Sequence, residues 1–160
     1  MDHRGFTLIE IVMILVLVGI LAVFVAPGMM DITGSNAAYF SDKLRADIRY
    51  AQNLAMTQGR RWRVYVNTAP GPNPGYAVVN DANGNSTWGE AGEFATDPAT
   101  GDALSIPLDA GQFEGITVST PAGGYIEFNS LGAPTTGGTT LIISPGGSTV
   151  VIAAQTGAAD

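Results

Sequence analysis

The sequence predicts an α+β protein: a long N-terminal helix, with a transmembrane half and an amphipathic half, packed on a C-terminal antiparallel β-sandwich-like domain. Three observations support this fold class. An apolar run at the N-terminus contains a single charged residue, Glu10. Apolar residues then recur at helical spacing as far as Gly59. After Gly59, short β-branched runs alternate with turns rich in Gly, Pro and Asn.

The apolar run extends from Phe6 to Ala26. At about 1.5 Å per residue it spans roughly 30 Å, the thickness of the hydrocarbon core of a bilayer. We therefore predict a transmembrane helix over residues 6–27, with either a kink or a local break of the helix at Pro27-Gly28. A secretory signal peptide fits less well, because the run is long, contains Glu10, and would be cleaved directly before Pro27.

Glu10 is the unusual residue of this run. A carboxylate at the centre of a membrane helix costs about 2.5–3.5 kcal/mol, and no Lys or Arg occurs between Gly5 and Asp42. Cleavage after Gly5 would give Phe6 a free amine four residues before Glu10, one helical turn away. The amine would then pair either with Glu10 of its own chain or with Glu10 of a neighbouring chain.

The segment 28–59 is predicted to be the amphipathic half of the helix, with the clear pattern starting near Ser35 and Gly59 as its stop. We favour docking of the apolar stripe on the chain's own β-domain, and a helix contact within an assembly is the alternative. The stripe consists of Ala37, Phe40, Leu44, Ile48, Ala51 and Ala55, and the opposite side of Asp42, Arg45, Arg49 and Asn53.

Residues 60–160 are predicted to form a β-rich domain of two packed antiparallel sheets. The longest connection, Asp81–Ala103, is polar and acidic, and is a candidate for a functional or variable loop. The predicted strands are Trp62–Asn67, Tyr76–Asn80, Leu104–Leu108, Ile116–Ser119, Tyr125–Asn129, Thr140–Ser144 and Thr149–Ala154.

Composition excludes several functions. There is no Cys, and His3 is the sole His, which excludes Cys/His zinc sites and thiol nucleophiles. The segment from Val64 to Asp160 has nine acidic residues and no Lys or Arg, so nucleic acid is not an expected partner. No enzymatic activity is expected. The carboxylates considered for glycoside chemistry, expected instead to be solvated, are Glu90, Glu93, Asp97 and Asp102.

A calcium site and a turn compete in the stretch "DANGNS". Asp81, Asn83 and Asn85 offer oxygen atoms at alternate positions, as calcium loops do. Asn-Gly is above all a turn signal, and Gly84 is not where a calcium loop places its glycine. We favour the turn and expect no cofactor.

Two further groups are candidate contact sites. Arg60, Arg61 and Arg63 form a dense basic cluster, which we expect to favour the helix C-terminus or to pair with acidic residues of the sheet, rather than to bind phosphate. Trp88 and Phe94 in the acidic loop are candidates for a partner contact.

The N-terminal stretch "RGFTLIEIVMILVLVGILAVFVAP" resembles the class III signal of type IV pilins and type II secretion pseudopilins. The resemblance implies that residues 1–5 are a leader and that prepilin peptidase cuts between Gly5 and Phe6. It also implies methylation of the Phe6 amine and a role for Glu10 in docking subunits into a filament. Asp2 departs from the usual basic leader, because it cancels Arg4.

The remainder resembles the GspH/FimT branch of minor pilins and pseudopilins. "LRADIRYAQNLAMTQGRRWRVYV" fits its junction of helix and first strand, and "IEFNSLGAPTTGGTTLIISPGGSTVVIAAQTG" fits its C-terminal strands and final Thr-Gly. The implied function is a structural subunit that helps initiate or cap a type II secretion pseudopilus or a type IV pilus. The implied location is the bacterial inner membrane, single-pass with a periplasmic domain, and later the filament; other pilins or pseudopilins would be partners. The alternative is a pilin-anchored module that recognises a surface, substrate or ligand through its acidic β-domain.

Overall fold

The computed structural model describes residues 7–25 and 31–160. The chain divides into two compact units, residues 1–35 and residues 36–160. In the first unit, helix α1 spans Leu8–Val25. Among the described residues, no helix is both long enough and apolar enough to cross a membrane. The predicted cleavage site and the predicted kink at Pro27-Gly28 lie outside the described residues.

Helix α2 spans Asp31–Gln58 and, from Asn36 onward, belongs to the second unit. It begins before the amphipathic pattern predicted from Ser35, because one glycine, Gly34, costs a helix only about 1 kcal/mol. The predicted stop is confirmed: Gly59 has a φ of 64°, the left-handed conformation that commonly follows a helix.

The apolar stripe of α2 is buried, which confirms that the helix docks on its own β-domain. Its six predicted residues are each at most 2% exposed. Phe40 packs edge-to-face on Tyr76 and on Phe113, with ring centroids 5.9 Å and 5.2 Å apart. Because the stripe contacts both sheets, α2 and the sheets share one hydrophobic core.

Among the described residues, seven strands form two antiparallel sheets, as predicted. The four-stranded sheet has the order β3-β2-β1-β5 and the three-stranded sheet the order β4-β6-β7. Each strand lies within two residues of its predicted bounds: β1 Trp62–Val66, β2 Gly75–Asn80, β3 Ser105–Pro107, β4 Thr117–Val118, β5 Tyr125–Phe128, β6 Thr139–Ser144 and β7 Ser148–Ile152.

The two sheets differ in how their faces are covered. Strand β6 alternates between buried and more exposed residues, as a strand with one solvated face does. Every residue of β2 is buried. The outer face of β2 carries Ala77 and Val79, which pack with Tyr65 in a second cluster against Trp88 and Phe94 of the long connection. That connection therefore acts as a covering layer on the four-stranded sheet.

The C-terminal segment is fastened to α2 near the end of the helix. Gln52 Nε2 donates to the carbonyl oxygens of Gly132 and Thr156, the first at 2.8 Å. Gly157 has a φ of 67°, and a Cβ there would lie 2.6 Å from Gly132 O. The Thr-Gly pair of the sequence resemblance is thus explained by close packing that only glycine allows.

Replacement of Phe40 by Ala is expected to destabilise the protein by about 3–5 kcal/mol, because Phe40 is fully buried between helix and sheet. Denaturant unfolding of the full chain in detergent measures this loss. Tyr39→Ala is the matched control: Tyr39 is 53% exposed and stacks on the same Phe113 ring, at 5.7 Å. Equal losses for the two variants would show that the stripe is not the main contact of α2.

Candidate functional site

Glu10, the residue predicted to take part in assembly, lies at the start of α1. Glu10 is exposed and lies in the first turn of the helix, where the positive end of the helix dipole favours a carboxylate. Thr7 precedes the helix, and its carbonyl oxygen accepts from Glu10 N at 3.1 Å and from Ile11 N at 3.3 Å. Gly5 and Phe6 lie outside the described residues, so the pairing of Glu10 with the Phe6 amine stays a prediction.

The described side chains of α1 form an apolar surface on all sides of the helix. The large apolar residues from Leu8 to Leu21 are each between 48% and 81% exposed. A helix that is apolar all round normally becomes buried in a membrane or among other helices. This surface is therefore a candidate for assembly contacts.

Arg63 organises the outer face of the four-stranded sheet. Its guanidinium lies over the rings of Trp88 and Tyr125, at 3.9 Å and 4.1 Å from their centroids. Its Nε donates to Glu127 Oε2 at 2.7 Å, and one terminal nitrogen donates to Tyr65 Oη at 2.9 Å. Glu127 lies opposite Arg63 on the neighbouring strand β5. Because Glu127 is only 5% exposed, its ion pair with Arg63 is largely shielded from solvent.

The predicted pairing of the basic cluster with acidic residues of the sheet is confirmed for two of its members. Arg63 pairs with Glu127 as described, and Arg61 approaches the same carboxylate at 3.5 Å. Arg60 is exposed. The aromatic side chains that were candidates for a partner contact, Trp88 and Phe94, are half-buried against the chain's own sheet.

The expectation that the acidic loop is simply solvated is wrong for two of its carboxylates. Glu93 and Asp97 are 3% and 4% exposed. Glu93 accepts hydrogen bonds from the backbone N–H groups of Ala82, at 2.9 Å, and of Glu90, at 3.0 Å. The burial of these carboxylates is tolerated because backbone N–H groups donate hydrogen bonds to them. These hydrogen bonds form only in the folded loop, so no periodic pattern in the sequence predicts them.

The stretch "DANGNS" forms turns through the same oxygen atoms that were considered for calcium. Asp81 accepts from Ser86 N at 3.0 Å, Asn83 from Asn85 N at 2.9 Å, and Asn85 from Thr87 N at 2.7 Å. The last two bonds each reach the backbone N–H two residues on, which is typical of Asx turns. Within the described residues there is no group of three or more His, Cys, Asp or Glu that could hold a metal ion. The expectation that the loop binds no cofactor stays a prediction.

Sequence reasoning missed a buried ionic cluster between α2 and the loop. Lys43 Nζ lies 3.1 Å from Asp47 and 3.2 Å from Asp97. The hydroxyl of Tyr76 on β2 donates to Asp47 at 2.6 Å. Burial is the main cause that raises the pKa of Tyr76 well above its usual value, and the nearby Asp47 carboxylate raises it further, so the hydroxyl stays protonated. The sequence pattern that could have predicted this cluster is the pair Lys43 and Asp47, which lie four residues apart beside the apolar stripe of α2.

The two carboxylates of this cluster have opposite pKa shifts. Burial raises the pKa of Asp47 above its usual value, although Tyr76 and Lys43 oppose the shift. The N–H of Ala99 lowers the pKa of Asp97, with help from Lys43. Ionisation of Asp47 is therefore less favourable in the folded protein than in the unfolded chain. Ionisation of Asp97 is more favourable in the folded protein.

Two family models match the chain, one over the N-terminal segment and one over most of the remainder. The prokaryotic N-terminal methylation motif matches residues 1–26, which is the class of start found in pilin-like proteins. The family model of type II transport protein GspH matches residues 41–157. Because this match covers well over half of the chain, the chain belongs to the GspH family.

Two solved structures of the type IV minor pilin FimU of Pseudomonas aeruginosa, strain PAO1, are similar in part. One is 16% identical, with a TM-score of 0.47 over 75% of this chain and 87% of that chain. The other, in a second crystal form, is 15% identical, with a TM-score of 0.44 over 72% of this chain and 81% of that one. No curated protein matches the chain.

Family membership establishes the broad class of the protein. Pilins and pseudopilins are structural subunits and not enzymes, and they assemble with other pilins. Nothing in these matches supports the alternative of a pilin-anchored binding module.

Arg63→Lys is expected to loosen the covering loop, because lysine keeps the charge but loses the flat stacking between Trp88 and Tyr125. Loss of these contacts costs about 1–2 kcal/mol, which would speed cleavage by a Glu-specific protease at Glu90 and Glu93 by roughly tenfold. Arg60→Lys, at an exposed neighbour, is the control. Unchanged cleavage in Arg63→Lys would contradict the role assigned to Arg63.

Asp47→Asn and Asp97→Asn are expected to respond oppositely to acid. The pKa of Asp47 is higher in the folded protein than in the unfolded chain, so ionisation of Asp47 lowers the stability at pH values above its folded-state pKa. This loss of stability disappears as the pH falls towards the pKa of Asp47 in the unfolded chain. The lowered pKa of Asp97 means that its stabilisation is present above the unfolded pKa and is lost as pH falls through the folded value. Measured against wild type from about pH 7 down to about pH 3, Asp47→Asn should lose relative stability and Asp97→Asn should gain it. Slopes of the same sign would refute the assignment.

Proposed function

We propose that the chain is a minor pilin or pseudopilin that helps initiate or cap a type II secretion pseudopilus or a type IV pilus. The observation that carries the proposal is the joining of an N-terminal methylation motif to a GspH-family domain. The apolar surface of α1 adds to it, because filament subunits of this kind need an apolar helix to bury among their neighbours.

The proposed location is the bacterial inner membrane before assembly, as a single-pass protein with its globular unit in the periplasm. In this proposal prepilin peptidase removes residues 1–5 and methylates the Phe6 amine. The match of residues 1–26 to the methylation motif supports both steps. After processing, the subunit would leave the bilayer for the filament.

The proposed mechanism of docking combines a large, non-directional force with one specific charge pair. Burying a large apolar side chain contributes about 1.5–3 kcal/mol, whatever the register of the helices. An unpaired Glu10 would oppose burial, because a charge moved out of water needs a partner. The Phe6 amine, of the same or of a neighbouring chain, would supply that partner, so the register that joins them would be selected.

A clean deletion, scored in parallel for surface pili and for secreted proteins, tests the function. Loss of pili with normal secretion is expected for a type IV minor pilin, and trapping of secreted proteins in the periplasm is expected for a type II pseudopilin. If pili and secretion are both unchanged, the proposed function is wrong.

Complementation of the same deletion strain tests the role of Glu10. Glu10→Ala and the isosteric Glu10→Gln should both fail to restore the lost phenotype, because each removes the charge that the amine requires. The intact mass of each variant should lack residues 1–5 and carry one added methyl group, which shows that processing is not the step affected. Full complementation by Glu10→Gln would eliminate charge pairing as the mechanism.

A further inference from the structure

An open cleft lies between the C-terminal end of α2 and the first part of the covering loop. Its volume is about 500 Å³, and its walls come from the turn after α2, the covering loop and the turn after β5. The side chains at these walls include Arg60, Arg61, Ser86, Trp88 and Ser130. Trp88 is half-buried and the other four residues are exposed. A ligand can therefore reach them from solvent.

The two arginines of the cleft use little of their charge within the chain. Arg61 approaches Glu127 at 3.5 Å, but the same carboxylate already accepts from Arg63 Nε at 2.7 Å. Among the ion pairs of the described residues, none includes Arg60. Both guanidinium groups therefore retain N–H donors and positive charge for a ligand from outside the chain.

Arg61 is held in position although its charge remains available. Its guanidinium carbon lies 5.7 Å from the ring centroid of Trp88, and the guanidinium of Arg63 lies over the same ring at 3.9 Å. Gly59, with its φ of 64°, ends α2 directly before the two arginines, so both lie at the junction of helix and sheet. A cation that is held before binding loses less conformational freedom when an anion arrives.

The polar groups of the cleft are mainly hydrogen-bond donors. A guanidinium group has five N–H donors and no acceptor, and the indole group of Trp88 can only donate. Of the described residues that line the cleft, Asp81 alone is acidic. Its Oδ2 accepts from Ser86 N at 3.0 Å, and its Oδ1 is buried. Such a cleft suits a ligand that is an anion and only accepts hydrogen bonds.

The charges around the cleft favour a single carboxylate over a phosphate group or a nucleic acid. Arg60, Arg61 and Asp81 together leave an excess of one positive charge, which one carboxylate balances. A polyanion would also meet Glu90, which is exposed on the same loop. It would find no Lys or Arg in the segment from Val64 to Asp160 to extend the contact.

We propose that this cleft binds the carboxylate side chain of an Asp or Glu residue from a neighbouring pilin subunit. Arg60 and Arg61 donate to the carboxylate oxygens, and the ring of Trp88 packs on the methylene groups that carry the carboxylate. A second polypeptide is the expected source, because the family assembles with other pilins. The proposal goes beyond the proposed function, since it concerns a contact of residues 36–160 and does not depend on which filament the subunit joins.

Indole N–H resonances of the full-length protein in detergent micelles provide the test. The chain has two tryptophans. Trp88 lines the cleft, whereas Trp62 is 3% exposed and lies outside it, so Trp62 is an internal control. The probe is the capped peptide N-acetyl-Gly-Glu-Gly-amide, and N-acetyl-Gly-Gln-Gly-amide, which is isosteric and neutral, is the matched control. We expect a saturable shift of the Trp88 resonance with the Glu peptide and no shift of Trp62.

Arg60→Gln and Arg61→Gln should each weaken binding of the Glu peptide by about tenfold, the effect of losing one hydrogen bond to a charged group. Arg49→Gln is the matched control, because Arg49 is an exposed arginine outside the cleft and its replacement changes the net charge equally. Thermal stability should stay near that of wild type, since ion pairs of exposed arginines contribute little. If Arg61→Gln is destabilised, Arg60→Gln still gives the comparison.

Five results would overturn the proposal. An equal Trp88 shift with the Gln peptide would show that the charge is not recognised. Equal weakening by Arg49→Gln would show that net charge, and not the cleft, attracts the peptide. Acetate bound as tightly as the Glu peptide would show that a free anion is the ligand. Tighter binding of inorganic phosphate would assign the cleft to phosphate. A Trp88 resonance that responds to no probe would show that the arginines are only solvated.

Discussion

The packing of one face of α2 on both β-sheets is the contact on which the globular unit depends. Phe40, Leu44 and Ile48 are completely buried, and the same cluster contains inner-face residues of both sheets, such as Val64 and Leu141. Neither sheet closes on itself, and each has an apolar face that needs cover. Because a single helix supplies much of that cover, the sheets, the helix and the C-terminal segment held by Gln52 form one unit.

Burial of charge follows from this arrangement. Few polar side chains in the described residues are buried, and most of those that are have a defined partner: Asp47 has Tyr76 and Lys43, and Glu127 has Arg63. Breaking a buried pair leaves a charge without compensation, so such pairs fix the geometry more than they add to stability. Among the described residues, the buried side-chain atoms without a hydrogen-bond partner are Arg45 Nε, Trp62 Nε1, Asn80 Oδ1 and Asp81 Oδ1.

The two compact units differ in the side chains that they expose. The first carries a helix with exposed apolar side chains and one carboxylate, which suits interchangeable packing among similar helices. The second unit carries the covering loop, which is held on the sheet by Trp88 and Arg63. This loop is the part of the unit that the family resemblance predicts least. The exposed apolar helix surface and the covering loop therefore belong to separate units of the chain.

The sequence by itself determined the secondary structure, the class of fold and the family. Periodicity revealed the α2 stripe and all seven strands, because helical and strand spacing are local properties that turn residues punctuate. The Gly-Phe-Thr-Leu-Ile-Glu start pointed to the pilin class directly, because this motif is short and contiguous.

Only the tertiary structure decided the environment of the acidic loop and of the polar residues beneath α2. Glu93 and Asp97 look like solvated residues in sequence, and they become buried because backbone donors and Lys43 reach them in the folded chain. The stacking of Arg63 on Trp88 and the pairing of Trp62 with Asn80 join residues that are distant in sequence. Contacts of this kind depend on strand register and on loop path, and no local pattern records either.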